Sequence, residues 1–199
     1  MFTGLVKKIG EVKEINSHHG DIQVVILTDK DFAGMILNGD SISINGVCLT
    51  AYNIYNDYFS FDISNETLDI TSLTQLKTGY KVNIETSLSL QDKVGGHIVS
   101  GHVDCTAKVL NISKDFRSYK ICIQLNDSYY SKYIVKKGSI CIDGTSLTVN
   151  KEENDSFYVN IIPYTWNNTI MQFYNEGTIV NIEVDRIALY LEKLFKQRD

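Results

Sequence analysis

The chain has 199 residues, a formal net charge of −5 and an isoelectric point near 5.4. This composition argues against general binding to nucleic acid or to anionic membranes, which usually requires a basic face. No apolar run approaches the roughly 20 residues that a membrane-spanning helix needs, the first residues lack the pattern of a secretion signal, and the four cysteines form no CxxC pair. We therefore expect a cytoplasmic protein with reduced thiols.

Short β-strands are predicted along the first half of the chain. Residues 1–14 alternate apolar and polar side chains, with a bend near Gly10. The pair His18-His19 lies in a turn-like sequence, and neighbouring strand residues point to opposite faces, which favours an exposed loop over a metal site. The next predicted strands are rich in Ile, Val, Tyr and Phe, and they are Asp21–Thr28, Ser41–Ile44, Val47–Tyr55, Tyr58–Ile63 and Val82–Thr86.

A single helix is predicted between the last two strands of this half. Glu66–Leu76 places its leucines and Ile70 at roughly helical spacing. Many short strands with one helix favour a small barrel or sandwich over a parallel sheet with crossover helices. We expect the helix to plug one end of a barrel and cover its apolar interior.

The second half of the chain repeats the first. Gly39–Thr50 has the sequence GDSISINGVCLT, and Lys137–Thr148, 98 residues later, has KGSICIDGTSLT. The N-terminal sequence FTGLV returns as VSGHV at Val99–Val103. One long-period duplication predicts two similar domains, residues 1–97 and 98–186, related by a pseudo-twofold axis.

A C-terminal helix is predicted after the second unit, over residues 187–199. Asp185 is suited to cap it. Its apolar side chains fall on one face, and they are Ile187, Tyr190, Leu191, Leu194 and Phe195. Such a face packs either on its own chain or between subunits, and we expect subunits.

Matched positions of the two halves carry different chemistry. His102 stands where the first half has Leu5; it is either a half-buried histidine that holds a turn or a general acid or base. A lone cysteine is more often a core residue than a nucleophile, but Cys48 matches Ser146, and a hydroxyl is a poor core residue. The pairing therefore predicts that both positions face a polar cavity.

Other matched polar residues fit either an ordinary surface or turn position or a functional site. Lys137 and Asp143 are consistent with an ordinary surface lysine and a turn aspartate, or with a site. Threonines recur at equal spacing, as Thr50 with Thr148 and Thr67 with Thr165. Doubled hydroxyls suit a polyhydroxy or heterocyclic ligand bound once per barrel.

Eight ordered motifs resemble one known family across essentially the whole chain. They are MFTGLV, NGVCLT, NETLDITSL, GYKVNIE, GGHIVSGHVD, KYIVKKGSICIDGTSLTV, IIPYT and GTIVNIEVD. Together with the duplication, they resemble the alpha-type riboflavin synthase family, whose relatives include the non-catalytic lumazine and yellow fluorescent proteins of luminous bacteria.

The resemblance implies an all-β fold of two tandem six-stranded antiparallel Greek-key barrels with a C-terminal α-helix that assembles a homotrimer. It implies dismutation of two molecules of 6,7-dimethyl-8-ribityllumazine, by transfer of a four-carbon unit, to riboflavin and 5-amino-6-ribitylaminouracil. The family needs no metal or organic cofactor. Its active site lies between the first barrel of one subunit and the second barrel of a neighbour, and association with lumazine synthase is a possible further contact.

The resemblance also implies site residues. Those expected to act in catalysis are His102 as a base, Cys48 or Ser146 as a nucleophile alternative to water, and Lys137, Asp143 and Asp185 as polarising or orienting groups. The substrate-contacting segments expected in the first barrel are Gly4-Leu5-Val6, Cys48-Leu49-Thr50 and Asp62-Ile63-Ser64-Asn65-Glu66-Thr67. Those expected in the second barrel are Gly101-His102-Val103, Lys137, Ser146-Leu147-Thr148 and Ile161-Ile162-Pro163-Tyr164-Thr165-Trp166.

The chain departs from the sequence pattern of this family at two positions, and two other functions compete with synthase activity. Tyr164 stands where many relatives have histidine, and Arg186 is also at a variable position. A lumazine- or flavin-holding antenna protein is the main rival, although such relatives tend to lose reactive residues that this chain retains. An oligonucleotide-binding barrel would need aromatic platforms beside a basic groove, which the acidic charge disfavours.

Overall fold

The computed structural model describes residues 1–18 and 20–196, apart from the side chain of His18. Two β-barrels follow one another along the chain, and a short helix follows the second. The strands are β1 Lys8–His18, β2 Asp21–Leu27, β3 Ser41–Ile44, β4 Val47–Thr50, β5 Tyr52–Tyr55, β6 Tyr58–Ile63, β7 Lys81–Thr86, β8 Cys105–Asp115, β9 Ser118–Leu125, β10 Ser139–Ile142, β11 Thr145–Glu153, β12 Ser156–Ile161 and β13 Ile179–Val184. The α-helices are α1 Lys30–Ala33, α2 Asn65–Ile70, α3 Pro163–Asn167 and α4 Arg186–Phe195, and 3-10 helices span Ser72–Gln75, Ser128–Tyr133 and Ile170–Phe173.

The second barrel closes through six antiparallel strands in the order β10-β11-β12-β9-β8-β13. Strand β12 returns to pair with β9, which makes the connection a Greek key. The first barrel has the matching order β4-β3-β7-β1-β2-β6-β5. Its fourth strand is divided at the fully buried Ala51, so the segment predicted as one strand is β4 plus β5. The predicted pair of six-stranded Greek-key barrels is confirmed, with this one interruption.

Local predictions were accurate where the pattern was regular. The predicted strands at Ser41–Ile44 and Tyr58–Ile63 match β3 and β6. The helix predicted over residues 66–76 is instead α2 followed by a 3-10 helix. The two are divided at Thr71, whose hydroxyl donates to the Thr67 carbonyl at 2.6 Å and caps the second helix. Helix α1 was not predicted.

Each barrel has its own apolar core. Side chains of alternate strand residues fill the interior, as period-two alternation requires. The first core includes Val24, Ile26, Ile42, Phe59, Phe61 and Ile84, with Leu73 of the 3-10 helix beneath them. The second core includes Ala107, Ile121, Ile123, Ile142, Phe157 and Ile182, with Met171 in the matching place. The helical piece of each unit therefore covers one end of its barrel.

Two tight hairpin turns meet at the pseudo-twofold axis. Asn45-Gly46 and Asp143-Gly144 all have positive φ, as a type I′ turn demands. A Cβ on Gly46 would lie 2.7 Å from the Gly144 nitrogen, so only glycine permits the turns to pack this closely. Asn83 and Asn181 then cross the interface, and each donates its side-chain amide at 2.8 Å to the turn of the opposite barrel.

Asp185 caps the N-terminus of the C-terminal helix α4, and its side chain accepts from the Ile187 N–H at 2.9 Å. Tyr133 and Lys132 of the second barrel both donate to Glu192, which ties α4 to that barrel. The five apolar side chains predicted to form one face are between 47% and 69% exposed. None of the described helices is long and apolar enough to cross a membrane. Residues 197–199 of the predicted helix lie outside the described part.

Candidate active site

A pocket of about 450 Å³ opens on the second barrel. Strands β10, β11 and β12 supply half of the lining residues, and helix α3 contributes Thr165. Ile162, which precedes α3, also lines the pocket. The lining is mainly polar. It consists of Leu5, Gly95, Gly96, Lys137, Ser139, Ser146, Leu147, Thr148, Asn150, Asn160, Ile162 and Thr165. We call this set the second-barrel pocket.

The N-terminal segment crosses to the second barrel. The Ser146 N–H donates to the Gly4 carbonyl at 2.8 Å, and Leu5 lines the second-barrel pocket. Gly4 has φ +73°, and a Cβ there would lie 2.6 Å from the Ser146 Cβ. The sequence-based assignment of Gly4–Val6 to the first barrel was therefore wrong for Gly4 and Leu5. Main-chain pairing with the first barrel begins at Lys7, whose N–H donates to the Ile84 carbonyl at 2.9 Å.

The pseudo-symmetric crossing places His102 at the first barrel. The Cys48 N–H donates to the Gly101 carbonyl at 2.7 Å, and a Cβ on Gly101 would lie 2.6 Å from the Cys48 Cβ. Val103 packs against the first core. The expectation that Gly101–Val103 belongs to the second barrel was thus wrong as well. We call the set Cys48, Thr50, Asp62, Thr67 and His102 the first-barrel site, because all five are the repeat counterparts of residues that line the second-barrel pocket.

Two buried glutamates hold the crossing segments, and the sequence analysis did not assign them to the site. Glu85 accepts from the N–H groups of Thr3 and Gly4 at 2.8 and 3.1 Å. Glu183 accepts in the same way from Ser100 and Gly101, at 2.7 and 2.9 Å. Burial raises the pKa of the Glu85 carboxyl above its usual value, although these hydrogen bonds oppose the rise. Their repetition at the 98-residue offset was the available signal.

His97 is a second site residue that sequence reasoning missed. Its Nδ1 lies 2.6 Å from the Ser146 Oγ. Burial lowers the pKa of the ring, so the imidazole is neutral near pH 7 and can accept the serine proton. Its Nε2 is buried and has no hydrogen-bond partner among the described residues. The motif GGHIVSGH offered two histidines, and only His102 was considered.

The linker before His97 covers the second-barrel pocket. A Cβ on Gly96 would lie 2.2 Å from the Thr3 carbonyl oxygen and 2.7 Å from the Ser146 Cβ. A Cβ on Gly95 would lie 2.7 Å from Leu5. Both glycines are needed for the linker to approach this closely, which brings the His97 ring to Ser146.

Lys137 lies at the second-barrel pocket in a strained backbone conformation. Its φ is +69°, in the left-handed region that a lysine rarely adopts. The first half has Gly39 at this position, with φ +93°. The lysine thus places a long, polar side chain at the pocket, where the matching glycine of the first half has none.

Asp143 does not line the second-barrel pocket, contrary to the expectation of a polarising role there. The tight turn aims its side chain into the interface between barrels, at the floor of a separate cleft of about 460 Å³. The carboxylate accepts from the Asn181 N–H at 2.7 Å and from the Tyr174 hydroxyl at 2.5 Å. Burial raises its pKa to about 7. Asp185 caps α4, and its charge reaches His97, where it opposes the effect of burial.

The other residues that were expected to contact the substrate differ in how deeply they are buried. Ile63 and Ile161 are fully buried in the cores and Leu49 nearly so, which leaves only their backbones for a ligand. Ser64 caps α2, beside Asn65 and Glu66 in its first turn. In the second unit Pro163 begins α3 and Tyr164 is 75% exposed, while Trp166 stacks on Tyr119 with ring centroids 3.8 Å apart.

No group of three or more His, Cys, Asp or Glu side chains suited to a metal ion occurs among the described residues. The pair His18-His19 is not part of that statement, because His19 and the His18 side chain lie outside the described part.

The family model named Lumazine binding domain matches residues 3–87 and again residues 100–185. The chain is also 38% identical to riboflavin synthase of Photobacterium phosphoreum, over 98% of this chain and 88% of that protein. The chain belongs to the riboflavin synthase family. A second family member, riboflavin synthase of Saccharomyces cerevisiae, is 42% identical over 97% of this chain and 85% of its own length.

Solved structures agree with this family membership. Crystal structures of LumP complexed with riboflavin and with 6,7-dimethyl-8-(1′-D-ribityl) lumazine superpose with TM-scores of 0.86 and 0.83 at 25% identity. Each match covers 93% of this chain and at least 99% of the other. LumP therefore shares the two-barrel fold of this riboflavin synthase family member.

Proposed function

We propose that this chain is a riboflavin synthase that dismutates two molecules of 6,7-dimethyl-8-ribityllumazine into riboflavin and 5-amino-6-ribitylaminouracil. The carrying observation is the pair of related but unequal sites, in which the segment Gly101-His102 meets Cys48 and the segment Gly4-Leu5 meets Ser146. A dismutation of one compound needs this inequality, because two like molecules must take different roles. The identity with riboflavin synthases over nearly the whole chain supports the same reaction.

Ser146 and His97 suit the activation of one lumazine. A nucleophile must add at the electrophilic C7 of that ring, and the neutral His97 accepts the proton of the Ser146 hydroxyl or of a water in its place. Among the described residues, the side chain of Cys48, the counterpart of Ser146, makes no such hydrogen bond to a histidine. We therefore assign this nucleophilic role to the Ser146 side of the site.

His102 suits the other lumazine, whose C7 methyl is a carbon acid because the ring delocalises the resulting anion. The histidine is exposed at the first-barrel site, and its backbone is fixed from both sides. Its N–H donates to Glu183, and its carbonyl accepts from Arg186. Lys137 orients substrate at the second-barrel pocket. Holding two rings in near-attack geometry supplies up to roughly 7–11 kcal/mol in favourable cases.

The complete site requires more than one subunit. We propose a homotrimer in which α4 packs between subunits and a first-barrel site faces a neighbour's second-barrel pocket. The exposed apolar face of α4 supports this arrangement, since an unpaired face of that kind is costly in water. The same proposal includes a cytoplasmic location, two domains with the limits 1–97 and 98–186, and contact with lumazine synthase.

The first test is incubation of the purified protein with 6,7-dimethyl-8-ribityllumazine alone, with riboflavin followed by absorbance. Steady formation without added metal or nucleotide is expected, with large losses in His102→Ala and Ser146→Ala. Tyr55→Phe serves as the control, because the Tyr55 side chain is exposed and is not part of either site.

The second candidate function is an antenna or storage protein that binds lumazine or flavin without turnover. The similarity to LumP favours this candidate. Tight lumazine binding with no riboflavin formed would select it and would reduce His97, His102 and Ser146 to pocket lining.

A further inference from the structure

A chain of hydrogen bonds crosses three strands of the first barrel. Gln23 of β2 donates its side-chain amide to the Tyr52 hydroxyl at 2.8 Å, and Tyr52 of β5 donates to Asp62 Oδ1 at 2.5 Å. Asp62 lies on β6, directly opposite Gln23 in the strand register. The tyrosine therefore fixes one carboxylate oxygen of a first-barrel site residue.

The second barrel has no such chain. Asn160 is the counterpart of Asp62, lies opposite Lys120 in the matching register and lines the second-barrel pocket. Asn150, the counterpart of Tyr52, also lines that pocket. Within residues 1–18 and 20–196, neither asparagine side chain makes a hydrogen bond.

The difference changes what each site can recognise. An asparagine amide both donates and accepts, whereas an ionised carboxylate only accepts. Tyr52 already occupies Asp62 Oδ1, which leaves Oδ2 in a fixed direction for one donor of a ligand. The phenol also takes more space than the amide of Asn150. Burial and the neighbouring carboxylate raise the Tyr52 pKa, so the hydroxyl stays a donor at neutral pH.

We propose that Tyr52 is a positioning residue that aims Asp62 at a hydroxyl of the polyol chain of the ligand in the first-barrel site, and so makes the two sites of one chain unequal in affinity. The proposal rests on the proposed function, because it assumes a ribityl-bearing ligand. A hydrogen bond to a charged group is strong enough for its orientation to matter, and each tenfold change in affinity corresponds to about 1.4 kcal/mol.

The test uses riboflavin as a probe that does not turn over. Equilibrium dialysis on the full chain counts the bound molecules and their affinities. Fluorescence of Trp166, the single tryptophan, follows the second-barrel pocket, since its neighbour Thr165 lines that pocket. Tyr52→Phe is expected to weaken the first-barrel site about tenfold and to leave the Trp166-detected affinity unchanged.

A double-mutant cycle separates positioning from simple structural support. If Tyr52 acts through Asp62, Tyr52→Phe should add little to the effect of Asp62→Asn. Tyr55→Phe on the same strand is the matched control and should bind as wild type. The KM for lumazine should rise in Tyr52→Phe while kcat stays within about twofold, as expected for lost uniform binding.

Two results would overturn the proposal while leaving the synthase function intact. One is wild-type affinity at both sites of Tyr52→Phe, and the other is fully additive effects in the double mutant. Failure of the unmutated protein to bind riboflavin or lumazine at all would instead overturn the proposed function and this inference with it.

Discussion

Single residues decide how the two halves differ, because the frameworks around them are nearly the same. Asn45 and Asp143 occupy equivalent turns, yet only the aspartate has a tyrosine hydroxyl as partner, Tyr174, where the first half has Leu76. Gly39 and Lys137 occupy equivalent left-handed positions, yet only one carries a side chain. Each of these two differences affects the stability of the folded protein, so a mutation at either position should have a measurable effect.

Lys137→Gly should stabilise the protein and impair turnover. Relief of the left-handed strain at φ +69° outweighs the entropy cost of glycine, for a gain of about 1 kcal/mol. Loss of the ammonium at the second-barrel pocket should lower kcat/KM for lumazine at least about tenfold. Urea unfolding and steady-state kinetics measure the two effects.

Asn56→Gly is the control for that variant, since Asn56 has φ +46° in a turn outside the site. It should gain a smaller amount of stability and keep full turnover. A Lys137→Gly protein that turns over as wild type would show that the lysine is not part of the site.

Asp143→Asn should stabilise the protein in a pH-dependent way. The folded pKa of about 7 exceeds the ordinary 3.8, so the folded state favours the neutral acid. The resulting stability is complete below pH 3.8 and is lost as the pH rises to about 7. The asparagine variant lacks this loss and should exceed wild type by up to about 4 kcal/mol above pH 7. Urea unfolding from pH 4 to pH 8 tests this, and a gap that does not change with pH would refute it.

At the scale of elements, the linker and the crossing segments build the sites. The linker brings His97 to Ser146, and the glutamates on β7 and β13 hold the two crossing segments. Arg186, the first residue of α4, donates from Nε to Ser100 Oγ at 3.1 Å and also binds the His102 carbonyl. The orientation of α4 is thereby connected to the first-barrel site.

Gly96→Ala should displace the linker from the second-barrel pocket. The added methyl would meet backbone and the Ser146 side chain, neither of which can retreat easily. We expect a loss of about 1–3 kcal/mol of stability from overpacking and a drop in turnover, as His97 moves away from Ser146. Thermal melts and riboflavin formation measure both quantities.

The matched control is Gly34→Ala at the end of α1, where φ is −66° and the nearest atom to a new Cβ is 3.2 Å away. It should change neither quantity appreciably. Normal turnover in Gly96→Ala would mean that the linker position does not matter for catalysis.

At the scale of the whole molecule, α4 offers an apolar face that one chain leaves exposed. Leu194 is 62% exposed on that face. Leu194→Glu should therefore dissociate the proposed trimer and abolish turnover, because each complete site of that trimer includes residues of a neighbouring subunit. The unfolding transition of the isolated barrels should change little, since the side chain is not in either core.

Sedimentation velocity and riboflavin formation, measured over a range of protein concentrations, test this variant. Lys193→Ala, one residue away on the polar side, is its control. A Leu194→Glu protein that is monomeric and fully active would exclude a site shared between subunits.

The sequence by itself determined the duplication, the barrel architecture and the family, because strand periodicity, turn residues and the 98-residue repeat are local or linear features. Ser146, Lys137 and Thr148, which were predicted in this way, line the second-barrel pocket. Only the tertiary structure decided which barrel each segment serves. The N-terminal segment and residues 99–103 leave their own halves and cross to the other barrel, and no periodicity in the chain records which surface a short extended segment will cover. For the same reason, the contacts of His97 with Ser146, of Glu85 and Glu183 with the crossing segments, and of Asp143 with Tyr174 depend on long-range packing.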